Sequence, residues 1–413
     1  MKAIIVGGGV GGLVTALMLQ ARGLDCAVFE QASESREIGV GINTLPHAIQ
    51  ELAGLGLLDR LDAIAIRTRE LLYCNRFGQV IWREPRGLDA GFAVPQFSIH
   101  RGRLHGALHQ AARERLGGEI HNGRRLAGFE QDEDGVVAHF VDRHGAPAGS
   151  VRGDLLVGAD GIHSTVRGAL YPGEGPPRWN GMMIWRGARD WPAYMDGRTM
   201  IVAGGMQAKA VLYPIAPGET PETRLTNWAV CVRLGDGSTP PPRREDWSRP
   251  GQLAEVLPHA ARFALPEADI SAIVAATPEF WEYPMCDRDP LPRWRHGRVT
   301  LLGDAAHPMY PVGSNGASQA ILDARALADA LAETGDVAAA LDRYEQDRRP
   351  KTAEIVRLNR VGGPEGVIDA VEQLAPDGFS DIDAVLPHDQ RQAIVRGYAS
   401  VAGFVAKPAA AGS

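Results

Sequence analysis

Lys2-Ala3-Ile4-Ile5-Val6-Gly7-Gly8-Gly9-Val10-Gly11-Gly12 decides the fold, because an apolar, β-branched run breaks abruptly into glycine. Leu13, Ala16, Leu17 and Leu19 then return at helical spacing, so the pattern predicts a strand, a tight turn and a helix. Gly7 permits the turn, Gly9 lets backbone approach a pyrophosphate, and Gly12 lets helix and strand pack closely. The helix N-terminus offers unpaired N–H groups to an anion. A second strand from Cys26 to Phe29 ends at Glu30, 18 residues after Gly12. That is close to the ~20 expected of a carboxylate that accepts hydrogen bonds from an adenosine ribose. A merely glycine-rich turn would not bring these partners in this order, so the stretch reads as a dinucleotide-binding unit.

A secretory leader is the rival reading of Met1-Lys2 and the apolar residues that follow. Five of the six residues from Gly7 to Gly12 are glycine, and each costs a helix ~1 kcal/mol, so a leader helix is not expected. The chain has 413 residues, 45% of them hydrophobic and 23% charged, which suits two or three globular domains. Its formal charge of −7 is mixed along the sequence, which argues against nucleic acid as a partner. Cys26, Cys74, Cys231 and Cys286 lie far apart, without a C-x-x-C or a Cys/His cluster. They fit thiols in a reducing cytoplasm better than disulfides or a zinc site. No uncharged run long enough to span a bilayer follows the first turn. The expectation is a cytoplasmic monomer or homodimer with no metal and no membrane span.

Further along, Arg36 and then Gly39-Val40-Gly41-Ile42-Asn43 suggest backbone passing close to a flat or charged ligand, a surface loop being the plainer alternative. Glu70 to Arg86 reads as two strands joined at Arg76-Phe77-Gly78, and Phe97 to His100 as another. Arg101 begins a helix with Leu104, Leu108 and Ala111 on one face. His105 and His109 are one turn apart on it, but without a third ligand they read as a solvated face. Leu126 to Phe129 and Val136 to Phe140 alternate as strands of a small antiparallel excursion. Met183 to Trp228 is β-rich and aromatic, and a proline-rich connection covers 239–250. From Val337 the chain is alanine-rich and helical in pattern, with Lys407 to Ser413 expected to fray.

Two more strand-glycine-helix units follow the first. Asp154-Leu155-Leu156-Val157-Gly158-Ala159-Asp160-Gly161 ends a strand on glycine and a carboxylate, and Ser164 starts a helix carrying Arg167. Val299-Thr300-Leu301-Leu302 ends on Gly303-Asp304, and small residues from Ala305 to Ser318 lead into a long helix through Ile321, Leu322, Leu327 and Leu331. Helix N-termini at both ends of the sequence would then face something anionic, and a dinucleotide between them is the economical explanation.

Taken in order, Gly7-x-Gly9-x-x-Gly12, Gly158-Ala159-Asp160-Gly161-Ile162-His163-Ser164-x-x-Arg167 and Gly303-Asp304-Ala305-Ala306-His307 with Pro311 and Gly313 resemble the three fingerprints of single-component FAD-dependent aromatic hydroxylases. These are the enzymes grouped around para-hydroxybenzoate and salicylate hydroxylases. Tyr283-Pro284-Met285-x-Asp287-Arg288-Asp289-Pro290-Leu291-Pro292, Ser98-Ile99-His100-Arg101-Gly102 and the run from Asn315 to Asp323 are similar to the phenazine-hydroxylating branch that forms pyocyanin. Ser318 stands where many members carry Asn, as in that branch.

The resemblance implies an α/β fold. A Rossmann-type FAD-binding domain (1–70, 101–180 and 282–350) would be interleaved with a β-rich substrate domain (71–100 and 181–281) and followed by C-terminal helices (351–413). Gly7, Gly9, Val10, Gly11 and Gly12 would meet the pyrophosphate and Glu30 the ribose. Arg36, Arg101 and Asp304 would meet the diphosphate or ribityl region, and Gly41, Ile42 and Leu126 would also touch FAD. Gly316 and Ala317 would aim N–H groups at the flavin N1–C2=O edge, and Pro311 and Gly313 would shape the site. Asp160 and Arg167 belong to a motif that such enzymes use for both FAD and the nicotinamide donor.

No second strand is followed by G-x-G-x-x-G, so NADH or NADPH would dock transiently on the FAD domain. The implied cycle is flavin reduction by NAD(P)H, reaction with O2 to a C4a-hydroperoxyflavin, and oxygen transfer to an electron-rich aromatic or N-heteroaromatic small molecule. The reactive flavin needs an apolar chamber, for which Met183, Trp185, Tyr213, Trp228, Tyr310 and Pro311 are the candidates. The flavin carries the hard step, so no catalytic side chain is required. His307 reads as packing rather than as a base. Arg186 or His47 is a candidate partner for a substrate carboxylate, each with a packing role as the alternative. A flavin dehydrogenase or a Baeyer-Villiger or N-oxidising variant would share every FAD motif. A non-catalytic escort protein would lack the intact glycines, Asp160 and Asp304.

Overall fold

The computed structural model describes residues 1–34, 40–243 and 248–405. Arg36, Gly39 and the terminal stretch Lys407 to Ser413 lie outside those residues.

Five strands form a parallel sheet in the spatial order Val299–Leu301, Leu155–Gly158, Lys2–Val6, Asp25–Glu30 and Ile120–Asn122. Ile4, Ile5, Leu155, Leu156 and Val157 are wholly buried, as a parallel sheet covered on both faces requires. The helix Val10–Gln20 packs between the helices Arg101–Leu116 and Gly316–Thr334. Close packing there depends on Gly12, where an added Cβ would lie 1.9 Å from the Gly7 carbonyl oxygen. The antiparallel excursion is present as Arg125–Gln131, Val136–Val141 and Pro147–Gly153.

A seven-stranded sheet stands beside this unit, in the order Phe280–Asp287, Arg178–Pro192, Thr223–Arg233, Ala208–Pro217, Thr199–Ala203, Glu70–Cys74 and Val80–Pro85. Side chains alternate across it. Met183, Trp185, Trp228, Val230 and Leu212 point to one face and form a core with the helices Leu253–Ala260 and Ile270–Ala276. Ile184, Arg186, Ala229, Val211 and Tyr213 point to the other face, towards the FAD-type unit.

The C-terminal helices close one end of that second face, where Val367, Ile368, Val371 and Val395 pack on Leu71, Tyr73 and Ile215. The helix Val337–Arg360 runs straight through Pro350, so the expected break at 351 does not coincide with the end of an element.

Candidate functional site

One elongated cavity of about 640 Å³ runs from the carboxyl ends of the parallel strands to the inner face of the seven-stranded sheet. Ligands of open α/β sheets bind at these strand ends. Gly7, Gly9, Val10 and Gly11 line its first end. Gly7 is left-handed, with φ +108°, and a Cβ there would strike the Ala159 carbonyl oxygen at 2.3 Å. A Cβ on Gly9 would meet nothing within 4 Å, so the backbone there borders open space. Gly9 caps the helix without any side-chain hydrogen bond, which leaves the first-turn N–H groups for a ligand. Glu30 accepts from Gly8 N at 2.7 Å and from Ala32 N at 2.8 Å, which fixes its carboxylate at the cavity wall with lone pairs to spare for a ribose. His105 Nε2 lies 2.7 Å from the Gly8 carbonyl oxygen and ties its helix to the glycine loop.

Farther in, the wall carries Gly41, Ile42, Arg101, Leu126, Asp160, Asp304, Gly316 and Ala317. Asp304 is exposed to the cavity, on a wall otherwise packed by protein. Burial raises its carboxyl above the ordinary value, against the pull of His307 and Arg101. Burial likewise lowers the Arg101 guanidinium, assisted by Arg186 and opposed by Asp304. The long helix Gly316–Thr334 begins at Asn315, whose amide turns away to Tyr398 Oη at 2.9 Å rather than capping the helix. The free N–H groups of Gly316 and Ala317 are thus left at the cavity, where a flavin oxygen would find them. Pro311 lines this end. Gly313 and Ser314 are both left-handed, with φ of +65° and +57°, and a Cβ on Gly313 would sit 2.6 Å from the Tyr398 ring. Ser318 accepts from Leu45 N at 3.0 Å and joins the strand Gly41–Thr44 region to the long helix. These features fit FAD: an anion cradle, a ribose carboxylate and a donor-rich flavin edge lie along one cavity.

Several expected roles change. Gly12 does not border the cavity, because its place is against the Gly7 carbonyl. Arg167 is buried away from it, donating to Ala305 O at 3.1 Å, Ala306 O at 2.9 Å and Asp289 O at 3.0 Å and pairing with Glu174. It staples the second motif to the third. Asp160 accepts from Thr165 N at 2.7 Å and so caps the short helix Thr165–Leu170 while facing the cavity. His307 is also a framework residue: its Nε2 meets Asp323 at 2.5 Å, and Arg348 meets the same carboxylate at 2.7 Å. Burial pushes the Asp323 carboxyl up, but His307 and Arg348 more than offset that and hold it below the ordinary range.

The chamber beyond the flavin edge is lined by Ile184, Arg186, Met200, Val202, Lys209, Val211, Tyr213, Asn227, Ala229, Cys231 and Tyr283. Of the expected lining, Tyr213 and Pro311 face it. Met183, Trp185 and Trp228 do not, since strand alternation sends them to the opposite core, where Trp185 Nε1 donates to Glu282 at 3.1 Å and Trp228 Nε1 to Thr277 at 2.9 Å. Tyr310 does not line the chamber but packs behind its wall, in a cluster with Met182, Tyr283 and Met285. His47 also lies elsewhere, stacked on Phe404. Lys209 and Glu365 were not legible as site residues, although Lys209 stands out in the sequence as a charge inside an apolar strand.

Comparison with known proteins places the chain. Residues 1–359 match the model of the FAD binding domain family. The chain is 45% identical over 362 residues to a phenazine 1,6-dicarboxylic acid hydroxylase of Lysobacter antibioticus, covering 86% of this chain and 88% of that one. It is 33% identical over 367 residues to a 3-amino-4-hydroxybenzoate 2-monooxygenase of Streptomyces cremeus, covering 87% and 86%. Its fold is similar to that of Klebsiella pneumoniae HpxO complexed with FAD and uric acid, with a TM-score of 0.73, 23% identity and coverage of 98% and 96%. With the three fingerprints set around one cavity and these relatives matching nearly end to end, the chain belongs to the FAD binding domain family of flavin-dependent aromatic hydroxylases.

Proposed function

We propose that this chain is an NAD(P)H- and O2-dependent monooxygenase that hydroxylates a planar N-heteroaromatic acid of the phenazine-carboxylate class. The observation that carries the substrate class is Arg186. It lines the chamber, donates to Tyr283 Oη at 2.9 Å and to the Gly41 carbonyl, and has no carboxylate within 4.0 Å among the described residues. Its Nε is buried without a partner. A buried cation of this kind is completed by an anion from the ligand. The 45% identity to a hydroxylase of a phenazine dicarboxylic acid supports the same class.

FAD, when bound, supplies electron transfer from NAD(P)H to O2 and delivery of one oxygen atom to the ring. Everything else falls to the protein. Gly7 to Gly11, Glu30 and Asp304 would hold the cofactor, and the N-terminus of the Gly316 helix would stabilise negative charge at the flavin edge by ~0.3–2 kcal/mol. Ile184, Val202, Val211 and Ala229 would keep water from the reacting ring. Arg186 would orient the substrate by its carboxylate. The nicotinamide donor would dock transiently on the FAD-binding unit. The reading also takes the enzyme as cytoplasmic, in keeping with four cysteines that form no disulfide. Among the described residues no helix is long and apolar enough to cross a membrane.

The test is aerobic NADH and NADPH consumption by the FAD-loaded protein, with phenazine carboxylates, hydroxybenzoates, phenols and quinolones, following peroxide and product mass together. A phenazine carboxylate should accelerate consumption and gain one oxygen with little peroxide. Oxidation of substrate with an artificial acceptor and no O2 would move the dehydrogenase reading ahead.

A further inference from the structure

Lys209 and Glu365 form a buried ion pair in the chamber wall, with Nζ 2.5 Å from Oε2 and each residue less than a tenth exposed. They come from distant parts of the sequence, 156 residues apart. Lys209 lies on the strand Ala208–Pro217, whereas Glu365 closes a short turn of the C-terminal segment reached through the left-handed glycines Gly362 and Gly363. The C-terminal segment therefore supplies part of the chamber.

The register of the sheet locates this pair relative to Arg186. Arg186 is opposite Ala229, Ala229 is opposite Val211, and Lys209 is two residues along from Val211. Two strand spacings and two residue rises put the Arg186 and Lys209 Cα atoms about 12 Å apart on the same face. A flat, fused-ring molecule held by Arg186 at one end would reach Lys209 at the other.

The two ends differ in charge. Arg186 lacks a carboxylate partner among the described residues, whereas Lys209 is already neutralised. Glu365 uses one of the three ammonium N–H groups, and the carboxylate keeps lone pairs for another donor. A second carboxylate brought to Lys209 would face Glu365 at close range and be repelled. A methyl group would leave N–H groups and lone pairs unpaired in a buried wall. A group that both donates and accepts satisfies both partners. Resting on the hydroxylase reading above, we propose that the Lys209–Glu365 pair hydrogen-bonds a neutral protic substituent of the substrate, at the end opposite the Arg186-bound carboxylate. Hydroxyl, amino and protonated carboxyl groups belong to this class.

The test is equilibrium binding to the FAD-loaded protein without NAD(P)H, read from the flavin absorbance. The probes are phenazine-1-carboxylates that carry hydroxyl, methyl or carboxylate at position 6, at pH 8. The hydroxyl compound should bind about tenfold more tightly than the methyl compound, and the dicarboxylate more weakly than the hydroxyl compound. The double variant Lys209→Met/Glu365→Leu removes both charges together with every donor and acceptor of the pair, and should bring the hydroxyl-to-methyl ratio below about threefold. A retained FAD spectrum shows that the variant is folded. Equal wild-type affinities, or a ratio unchanged in the double variant, overturn this assignment and leave the hydroxylase reading standing. Binding of none of the three overturns both the assigned substrate class and this inference.

Discussion

Arg167 and Ala306 are 139 residues apart, yet the guanidinium donates to the Ala306 carbonyl at 2.9 Å and, from the same nitrogen, to Ala305 at 3.1 Å. Two cofactor-facing loops are thereby held as one body. Arg167→Met would leave the Ala305, Ala306 and Asp289 carbonyls without their buried donor, while Glu174 keeps its pairing with Arg288. The expected loss is about 1–3 kcal/mol, measured by urea unfolding, with FAD retention falling in parallel. A variant that kept its stability and lost only NAD(P)H oxidation would instead put Arg167 in the donor site.

Gly9 and Gly12 should separate binding from folding. A side chain on Gly9 projects into open cavity, so Gly9→Val should give an apoprotein of near wild-type stability that purifies without FAD. A Cβ on Gly12 would drive into the Gly7 carbonyl oxygen at 1.9 Å. Gly12→Ala should therefore lower the melting temperature of the apoprotein itself, by overpacking worth about 1–3 kcal/mol. Thermal unfolding of both apoproteins checks the contrast.

Trp228 and Ala229 are neighbours on one strand with opposite duties. Trp228→Phe should cost about 1–3 kcal/mol of stability, through the lost bond to Thr277 and the space left behind, with substrate KM unchanged. Ala229→Leu intrudes on the chamber and should raise KM at least several-fold with little change in unfolding midpoint. Steady-state kinetics and urea melts on the pair would expose a reversed assignment of the two faces.

His47 gives the acid side of the stability profile. Both ring nitrogens are buried without partners, and burial, aided by the Arg348 charge, lowers its pKa from 6.5 to about 4. Between those values the unfolded chain takes up a proton that the folded chain refuses, so stability falls as pH drops through this window. The full effect is of order 2–3 kcal/mol near pH 4. His47→Gln should flatten the profile there, by urea unfolding at pH 7, 5.5 and 4.5; an unaltered slope would remove His47 from the account.

Much of the cofactor end was legible in the sequence because its determinants are local. A β-branched run, a glycine cluster, a returning helical period and a carboxylate 18 residues after Gly12 are all properties of neighbouring residues. Their order along the chain determined the α/β class, the three loop positions and the dinucleotide. The substrate end is different. Alternation within Met183–Trp185 or Trp228–Ala229 shows that a strand has two faces, but not which one meets the cavity; Trp185 and Trp228 face the core closed by the helices Leu253–Ala260 and Ile270–Ala276, which takes their rings out of water. The tertiary structure alone decided that Arg167 is a staple rather than a ligand group. It alone brought Lys209 to Glu365 across 156 residues, because long-range contacts follow from how the sheets and C-terminal helices pack and leave no local pattern in the chain.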